Sequence, residues 1–390
     1  MHCVHQDPGY IPLVTNSCMP TPPPRRIALV NTYSTYNLGD AAIYSALVLM
    51  FSRSAAHPGV SGHSIVADVR DARPYPIPDL CFGPVQHPSD LYVSVGGDIF
   101  NNSREWLITK QFLLNLRDLR RHPRRTILFG QTLPRSCHGL SLALLTRVLR
   151  RLAAVCVRDG ESHRRLRQAG VDATLSYDTA FALSSHPAGG EQAEQVLLSQ
   201  GVALNQAALL SVRGFDAMYG HGNDRFHTQM VQLCRDLVRH GLRPVVLVQS
   251  QAYAADNDLT VASALAGEVP ELVVFNPFDI DTGLQHWQLA MGALQRAAVS
   301  IGVRYHTSVL ALAAGRLPYN LFYSNKGRDL SSRLGLPGCE LSRFESAACL
   351  QEILATANQR FDPEPIRSDV VAHFRRCVAS AGFLPCSDAS

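Results

Sequence analysis

The sequence predicts an α/β fold in two units, each a parallel sheet covered by helices. Three observations carry this. Short β-branched apolar runs alternate with apolar or amphipathic helical stretches along most of the chain, the pattern of a parallel α/β architecture. A length of 390 residues is more than one ordinary core supports, so two domains are expected. The alternation breaks once, in the Gly-, Ser- and Gln-rich run from Ser184 to Gln206. The expected division is a poorly ordered arm at 1–25 ending in PTPPP, a first α/β domain at 26–190 and a second at 205–358. A closing helix and tail follow at 359–390, with packing back on the first domain left open.

Order begins at Arg26. A first strand, Ile27 to Asn31, gives way to a polar loop and a helix from Ala41 to Phe51, with Asp40 placed to cap it. Strands follow at Ser64–Val69 and Leu91–Val95, joined by a proline-rich connection, ARPYPIPDLCFGP. A helix at about 105–121, a strand at Thr126–Gly130 and a helix at Ser141–Leu152 come next. The strand Ala154–Val157 ends in Arg158-Asp159, the helix Glu161–Gln168 is closed by Gly170, and the short strand Thr174–Ser176 leads to Asp178. Past a helix at Glu191–Ser199, the second unit opens with the strand Ala208–Val212, which ends in Arg213. It continues with helix Arg225–His240, strand Val245–Val248, helix Asp256–Ala266, strand Leu272–Phe275 and helix Gly283–Arg296. Closing helices are read at Ser346–Asn358 and Val370–Ala381.

The chemistry concentrates between Ala298 and Gly327. Ala298–Val303 is a buried strand and Thr307–Ala314 a helix, so Arg304, Tyr305 and His306 occupy a strand-to-helix turn. Open α/β sheets bind ligands at such turns, and a helix amino end attracts anions. The next strand, Pro318–Tyr323, places Lys326 just past its end. Arg213, Arg304, His306 and Lys326 are therefore expected around one anion pocket; read singly, each is a solvated strand-end cation or a helix cap. In the first unit, Asn37-Leu38-Gly39-Asp40 fills the first βα turn, and Gly96-Gly97-Asp98 follows a strand, where glycines let a backbone approach a ligand. No GxGxxG is present, so no dinucleotide cofactor is implied.

A net charge of +4 makes no case for nucleic-acid binding, and no apolar run is long enough to span a bilayer. The N-terminus lacks the pattern of a secretory signal. Ten scattered cysteines without CxxC read as reduced thiols in a cytoplasmic protein. Fifteen scattered histidines form no metal-binding pattern.

From about Ile27 to Leu336 the chain resembles the polysaccharide pyruvyl transferases. The markers, in the family's order, are Asn37-Leu38-Gly39-Asp40, Gly96-Gly97, Gly130-Gln131 with Pro134, and Val157-Arg158-Asp159 with Ser162 and Gly170. After these come Asp178 to Phe181, Ser211-Val212-Arg213, Arg304-Tyr305-His306 and Lys326. Each is short; their ordered series is specific. The resemblance implies two Rossmann-like lobes facing across a cleft, as in GT-B enzymes, and transfer of an enolpyruvyl group from phosphoenolpyruvate to a sugar or lipid-linked glycan. No cofactor is implied. His306, Arg304 and Arg213 would be catalytic, with Lys326, Asn37, Gly39, Asp40, Gly97, Asp98 and Asp178 binding substrate. His306 would protonate the donor's methylene carbon, while Asp40, Asp98 or Asp178 accepts a hydroxyl proton.

Three positions depart from the family: Asp98 where a third glycine is frequent, Thr179 where proline is usual, and Tyr305 where a small aliphatic residue is usual. They bear on the acceptor more than on the donor and leave room for a small metabolite or modified peptide. A lipid-linked acceptor would bring the chain into peripheral contact with the cytoplasmic membrane face. The basic runs Arg117–Arg125 and Arg147–Arg151 could serve that contact, or are solvated helix faces. Two rival readings remain: a nucleotide-sugar glycosyltransferase, signalled by an acidic residue at the donor site, and a non-catalytic glycan-binding relative, signalled by loss of the pocket's charges.

Overall fold

The computed structural model of the chain describes residues 25–55, 63–85, 87–102, 107–215, 223–254 and 256–384. The arm expected at 1–25 lies outside them except for Arg25, which starts the first strand.

The first lobe alternates strand and helix from β1 (Arg25–Val30) and α1 (Leu38–Ala55) through β2 (His63–Ala67), β3 (Leu80–Phe82) and β4 (Leu91–Ser94). It continues with α2 (Lys110–Arg121), β5 (Thr126–Gln131), α3 (Gly139–Leu149), β6 (Ala154–Val157), α4 (Gly160–Gln168) and β7 (Thr174–Leu175). Its seven strands are all parallel in the order β3-β2-β1-β4-β5-β6-β7. After α5 (Pro187–Ser199) the second lobe repeats the scheme: β8 (Ala207–Leu210), α6 (Asn223–Arg239), β9 (Arg243–Leu247), the small antiparallel pair β10 (Gln251–Tyr253) and β11 (Asp256–Asn257), and α7 (Asp258–Glu268). Then come β12 (Val273–Phe275), α8 (His286–Arg296), β13 (Val299–Gly302), α9 (Tyr305–Ala313), β14 (Tyr319–Phe322), α10 (Asn325–Leu334) and β15 (Gly338–Glu340). Its order, β12-β9-β8-β13-β14-β15, reverses direction between β8 and β13 as the first reverses between β1 and β4. Helices α11 (Ser346–Ala355) and α12 (Glu364–Ser380) close the chain.

Period-two patterning orients both sheets. Along β5 and β6, Ile127, Phe129 and Cys156 face one core, while Leu128, Val155 and Val157 face another under α2, α3 and α4. Residues on β8 and β9 divide the same way, Leu209 and Val245 from Leu210 and Val246. One apolar layer runs from the inner face of the first sheet through α1, α8 and α9 to the inner face of the second, so the lobes share a core. Helix α12 returns to the first lobe. Its Phe374 ring lies 4.9 Å from that of Phe51 and 5.3 Å from that of Phe129, and Ser176 Oγ donates to Asp369 at 2.7 Å.

Several expectations need correction. Position 190 lies inside α5, which packs tightly on α8: a Cβ on Gly292 would lie 2.3 Å from the Gly190 nitrogen. Helix α1 starts at Leu38, because the Asn37 side chain caps it and Asp40 falls in its first turn. Asp256 does not open α7. It pairs in the short hairpin, and Asn257 caps the helix instead, accepting from Leu259 N–H at 3.0 Å. Lys326 lies in the first turn of α10, a helix whose polar sequence hid it. Strands β3 and β15 escaped notice because three residues carry too little alternation to register.

Candidate functional site

The two points of strand-order reversal face each other, and a cavity of about 430 Å³ lies between them. Of the residues expected at the site, Asn37, Asp40, Gly97, Asp98, Arg213, Arg304, His306 and Lys326 line it; Gly39 and Asp178 do not.

The turn after β1 is tied down from both sides. Asp71 accepts from Ser34 Oγ and Thr35 N–H at 2.6 Å and from Thr35 Oγ1 at 2.7 Å. Across the lobes, Leu38 N–H donates to Gln249 O and Gln251 N–H to Tyr36 O, each at 2.9 Å. Asn37 Oδ1 accepts from Gly39 N–H at 3.0 Å, so this side chain is spent on capping α1. Gly39 makes room: a Cβ there would fall 1.9 Å from His306 Nδ1. The imidazole of the second lobe thus rests on the bare backbone of the first, with Asp40 beside it. Burial pushes the Asp40 carboxyl up to about 7, with Arg158 and Lys326 opposing and Asp256 adding to the rise.

Asp178 sits behind His306, fully buried. Its Oδ1 accepts from Ala180 N–H at 2.9 Å, and its Oδ2 pairs with Arg158 Nη1 at 2.5 Å and lies 3.5 Å from His306 Nε2. Burial alone would raise this carboxyl, but Arg158, aided by His306, holds it well below the usual carboxylate range. Asp178 therefore positions other groups and does not touch the cavity. Burial also lowers the His306 pKa, against the pull of Asp178. That direction favours the neutral imidazole near pH 7.

Arg158 was not among the expected site residues, although it ends a strand as Arg213 and Arg304 do, and the same reading would have found it. Its side chain is wholly buried: Nε donates to Thr132 Oγ1 at 2.9 Å, and Nη2 lies 3.7 Å from Asp98 Oδ1. Arg158 Nη2, Asp98 Oδ1 and His306 Nε2 have no hydrogen-bond partner among the described residues, and buried polar atoms of this kind invite a ligand. Tyr305 lies between two cations, its ring 5.0 Å from the Arg158 guanidinium carbon and 5.3 Å from Lys326 Nζ.

Each cation of the second lobe arrives with a carboxylate. Arg304 donates from Nη1 to Asp256 at 2.7 Å and from Nε to Asp258 at 3.1 Å, with Nη2 also on Asp258. Three of its N–H groups are engaged, and the fork expected for a substrate is half used. Arg213 donates to the Tyr323 hydroxyl at 2.6 Å and lies 3.9 Å from Asp256. Lys326 reaches across the cleft to Asp98 at 2.9 Å; burial would raise the Asp98 carboxyl, but Lys326 and Arg158 hold it below its ordinary value. The amino end of α9 is less open than expected, since Ser211 Oγ accepts from Val303 and Arg304 N–H at 3.0 and 2.9 Å. Asp256 was missed because it reads as the start of a helix. The first-lobe wall is mostly uncharged, with Thr32, Tyr33, Asn101, Gln111 and Asn115.

The sequence matches the family model for polysaccharide pyruvyl transferase over residues 37–316. The chain belongs to that family. No curated protein matches it by sequence. In three dimensions it is similar to UDP-GlcNAc 2-epimerase from Methanocaldococcus jannaschii, at 8% identity over 91% of this chain and 99% of the other, with a TM-score of 0.56. It is also similar to UDP-GlcNAc 2-epimerase from Neisseria meningitidis bound to UDP-GlcNAc, at 10% identity over 91% and 100%, TM-score 0.56. Anabaena HepE in complex with UDP-glucose aligns at 11% identity over 90% and 99%, TM-score 0.52. At such identities the likeness is one of fold: two Rossmann-like lobes in the GT-B arrangement. Among the described residues no helix is long and apolar enough to cross a membrane.

Proposed function

We propose that this family member transfers the enolpyruvyl group of phosphoenolpyruvate to two hydroxyls of a sugar or glycan precursor, releasing phosphate and leaving a pyruvate ketal. One observation supports this above others: Arg213, Arg304, His306 and Lys326 share a single cavity with a protonatable Asp40. A small donor with a phosphate and a carboxylate needs several cations in a partly dehydrated space. Arg213 and the free edge of Arg304 suit one anionic group. Lys326 suits the other once it exchanges Asp98 for the ligand.

The electrostatics reassign the proton steps. Asp40, protonated up to about pH 7, gives its proton to the donor's methylene carbon, and positive character develops at the carbon bearing the phosphate oxygen. Neutral His306 takes the proton of the attacking hydroxyl as the new C–O bond forms. The C–O bond to phosphate then breaks, with Lys326 and the arginines stabilising the departing charge. The second hydroxyl adds to the same carbon and closes the ketal. Of the two hydroxyl protons, one replaces that of Asp40 and one leaves with phosphate.

The first-lobe wall, mostly amides and hydroxyls, suits a neutral polyol as acceptor. The test supplies phosphoenolpyruvate with a panel of free and lipid-linked sugars and follows phosphate release together with a pyruvyl mass gain. Phosphate released without that mass gain on any acceptor would sink the transfer reading.

Asp256 favours a second reading, a nucleotide-sugar enzyme, because it is a carboxylate on the second-lobe wall. Its pairing with Arg304 accounts for it without a sugar. Thermal protection by UDP-glucose but not by phosphoenolpyruvate would select this second reading.

A further inference from the structure

The first lobe carries a face that the transfer chemistry does not use. From Lys110 to Arg151 the sequence holds ten basic residues and one acidic one, Asp118, a formal +9 against +4 for the whole chain. The folded chain gathers five of these, Arg117, Arg120, Arg121, Arg147 and Arg151, where α2 and α3 pack side by side and frame an open groove of about 850 Å³. Helical spacing explains the arrangement. On α3, Leu140, Leu144 and Arg147 recur every three or four residues, with Arg151 just past its end, and on α2 Leu113, Arg117 and Arg120 do the same. Each helix therefore shows leucine toward its amino end and arginine toward its carboxyl end on one side.

Two features separate this face from an ordinary solvated one. Arg120, Arg147 and Arg151 are exposed and form no ion pair among the described residues. Leu113 and Leu140 are 50% and 62% exposed. Arginines alone would fit any polyanion. Leucines standing bare beside them fit a surface that is anionic at its headgroups and apolar just beneath.

We propose that the α2–α3 face docks the first lobe on a bilayer containing anionic lipid. Helix α2 also carries Gln111 and Asn115 on the cavity wall, on its side away from Leu113, Arg117 and Arg120, so one helix joins the docking face to the cleft.

The experiment is co-sedimentation of the full chain with vesicles of phosphatidylcholine alone and of phosphatidylcholine with phosphatidylglycerol in equal parts. The expected result is binding to the mixed vesicles only, falling steeply as salt is raised. Replacing four arginines together (R120Q, R121Q, R147Q, R151Q) should weaken that binding by roughly a hundredfold or more. Leu113→Ser with Leu140→Ser should weaken it by about tenfold. All six positions are exposed, so unchanged melting temperatures verify the fold. Equal binding to both vesicle types, no binding to either, or indifference to both sets of substitutions would overturn the proposal. So would binding to single-stranded RNA or heparin in its place, weakened by the arginine changes and not by the leucine changes. The measurement needs no turnover, so its outcome is independent of the donor.

Discussion

The two walls of the cavity come from the same topology and carry opposite chemistry. Both lobes reverse strand order at their centre, and both offer the cleft a strand-to-helix turn there. In the first lobe that turn, Asn37 to Asp40, is a cap and a close backbone approach, and the wall around it is mostly amide, hydroxyl and carboxylate, with Arg70 its one cation. In the second, the turn after β13 at the same reversal bears Arg304 and His306, with Arg213 past the neighbouring β8 and Lys326 past β14. The difference teaches that the fold supplies a place and the residues at the strand ends supply the charge. It also teaches that neither wall is complete alone. His306 stands where it does because Gly39 lets it, and Lys326 is held by Asp98 from the opposite lobe.

The strongest way to break this comparison is at His306. If the second-lobe wall holds the base, His306→Ala should lower turnover by about 10² to 10⁴ while leaving thermal protection by phosphoenolpyruvate close to wild type. Near-normal phosphate release would remove the imidazole from the chemistry. Next comes the support beneath it. Arg158→Leu leaves the buried Asp178 carboxylate unpaired and should cost about 3–5 kcal/mol in denaturant unfolding. A loss under 1 kcal/mol would mean that Asp178 finds another partner.

Gly39→Ala tests the fit between the walls. The added methyl group meets the His306 ring, so a loss of about 1–3 kcal/mol should accompany a fall in turnover. Unchanged stability and rate would show that the ring moves freely. Asp40→Asn separates the acid from the base. The wild-type rate should decline above about pH 7 as Asp40 ionises, and the variant should lose that limb along with most of its activity. Stability moves in the same sense. The folded pKa lies above the ordinary value of 3.8, so the folded state holds its proton longer; the contribution is full below 3.8 and is lost as pH rises to about 7. The variant's melting temperature should stay flatter across that window. The smallest expected effect is at Asp98, whose side chain is 38% exposed. Asp98→Gly releases Lys326 and should tighten phosphoenolpyruvate protection severalfold with under about 1 kcal/mol of stability change. Weaker protection would instead make Asp98 part of the donor site.

Much of this was legible before folding. The turns bearing Arg213, Arg304 and His306 follow from β-branched runs meeting helical ones, a local signal. Arg158 carries the same signal. Asp256 reads in sequence as a helix start, because the Gln251–Asn257 hairpin is too short to show alternation; the helix opens at Asp258. The sequence position of Asp40 permits a capping role, and only the Asn37 hydrogen bonds exclude it.

Sequence alone settled the parallel α/β class, the order of the family's markers and the cations at the strand ends, because propensity, periodicity and motif spacing are properties of neighbours along the chain. The tertiary structure decided which carboxylate meets which cation, which of Asp40 and His306 holds a proton, and that Gly39 is a seat for an imidazole. Those outcomes depend on burial and on distances of a few ångströms between residues far apart in sequence, where desolvation and through-space charge, not local preference, set the energies.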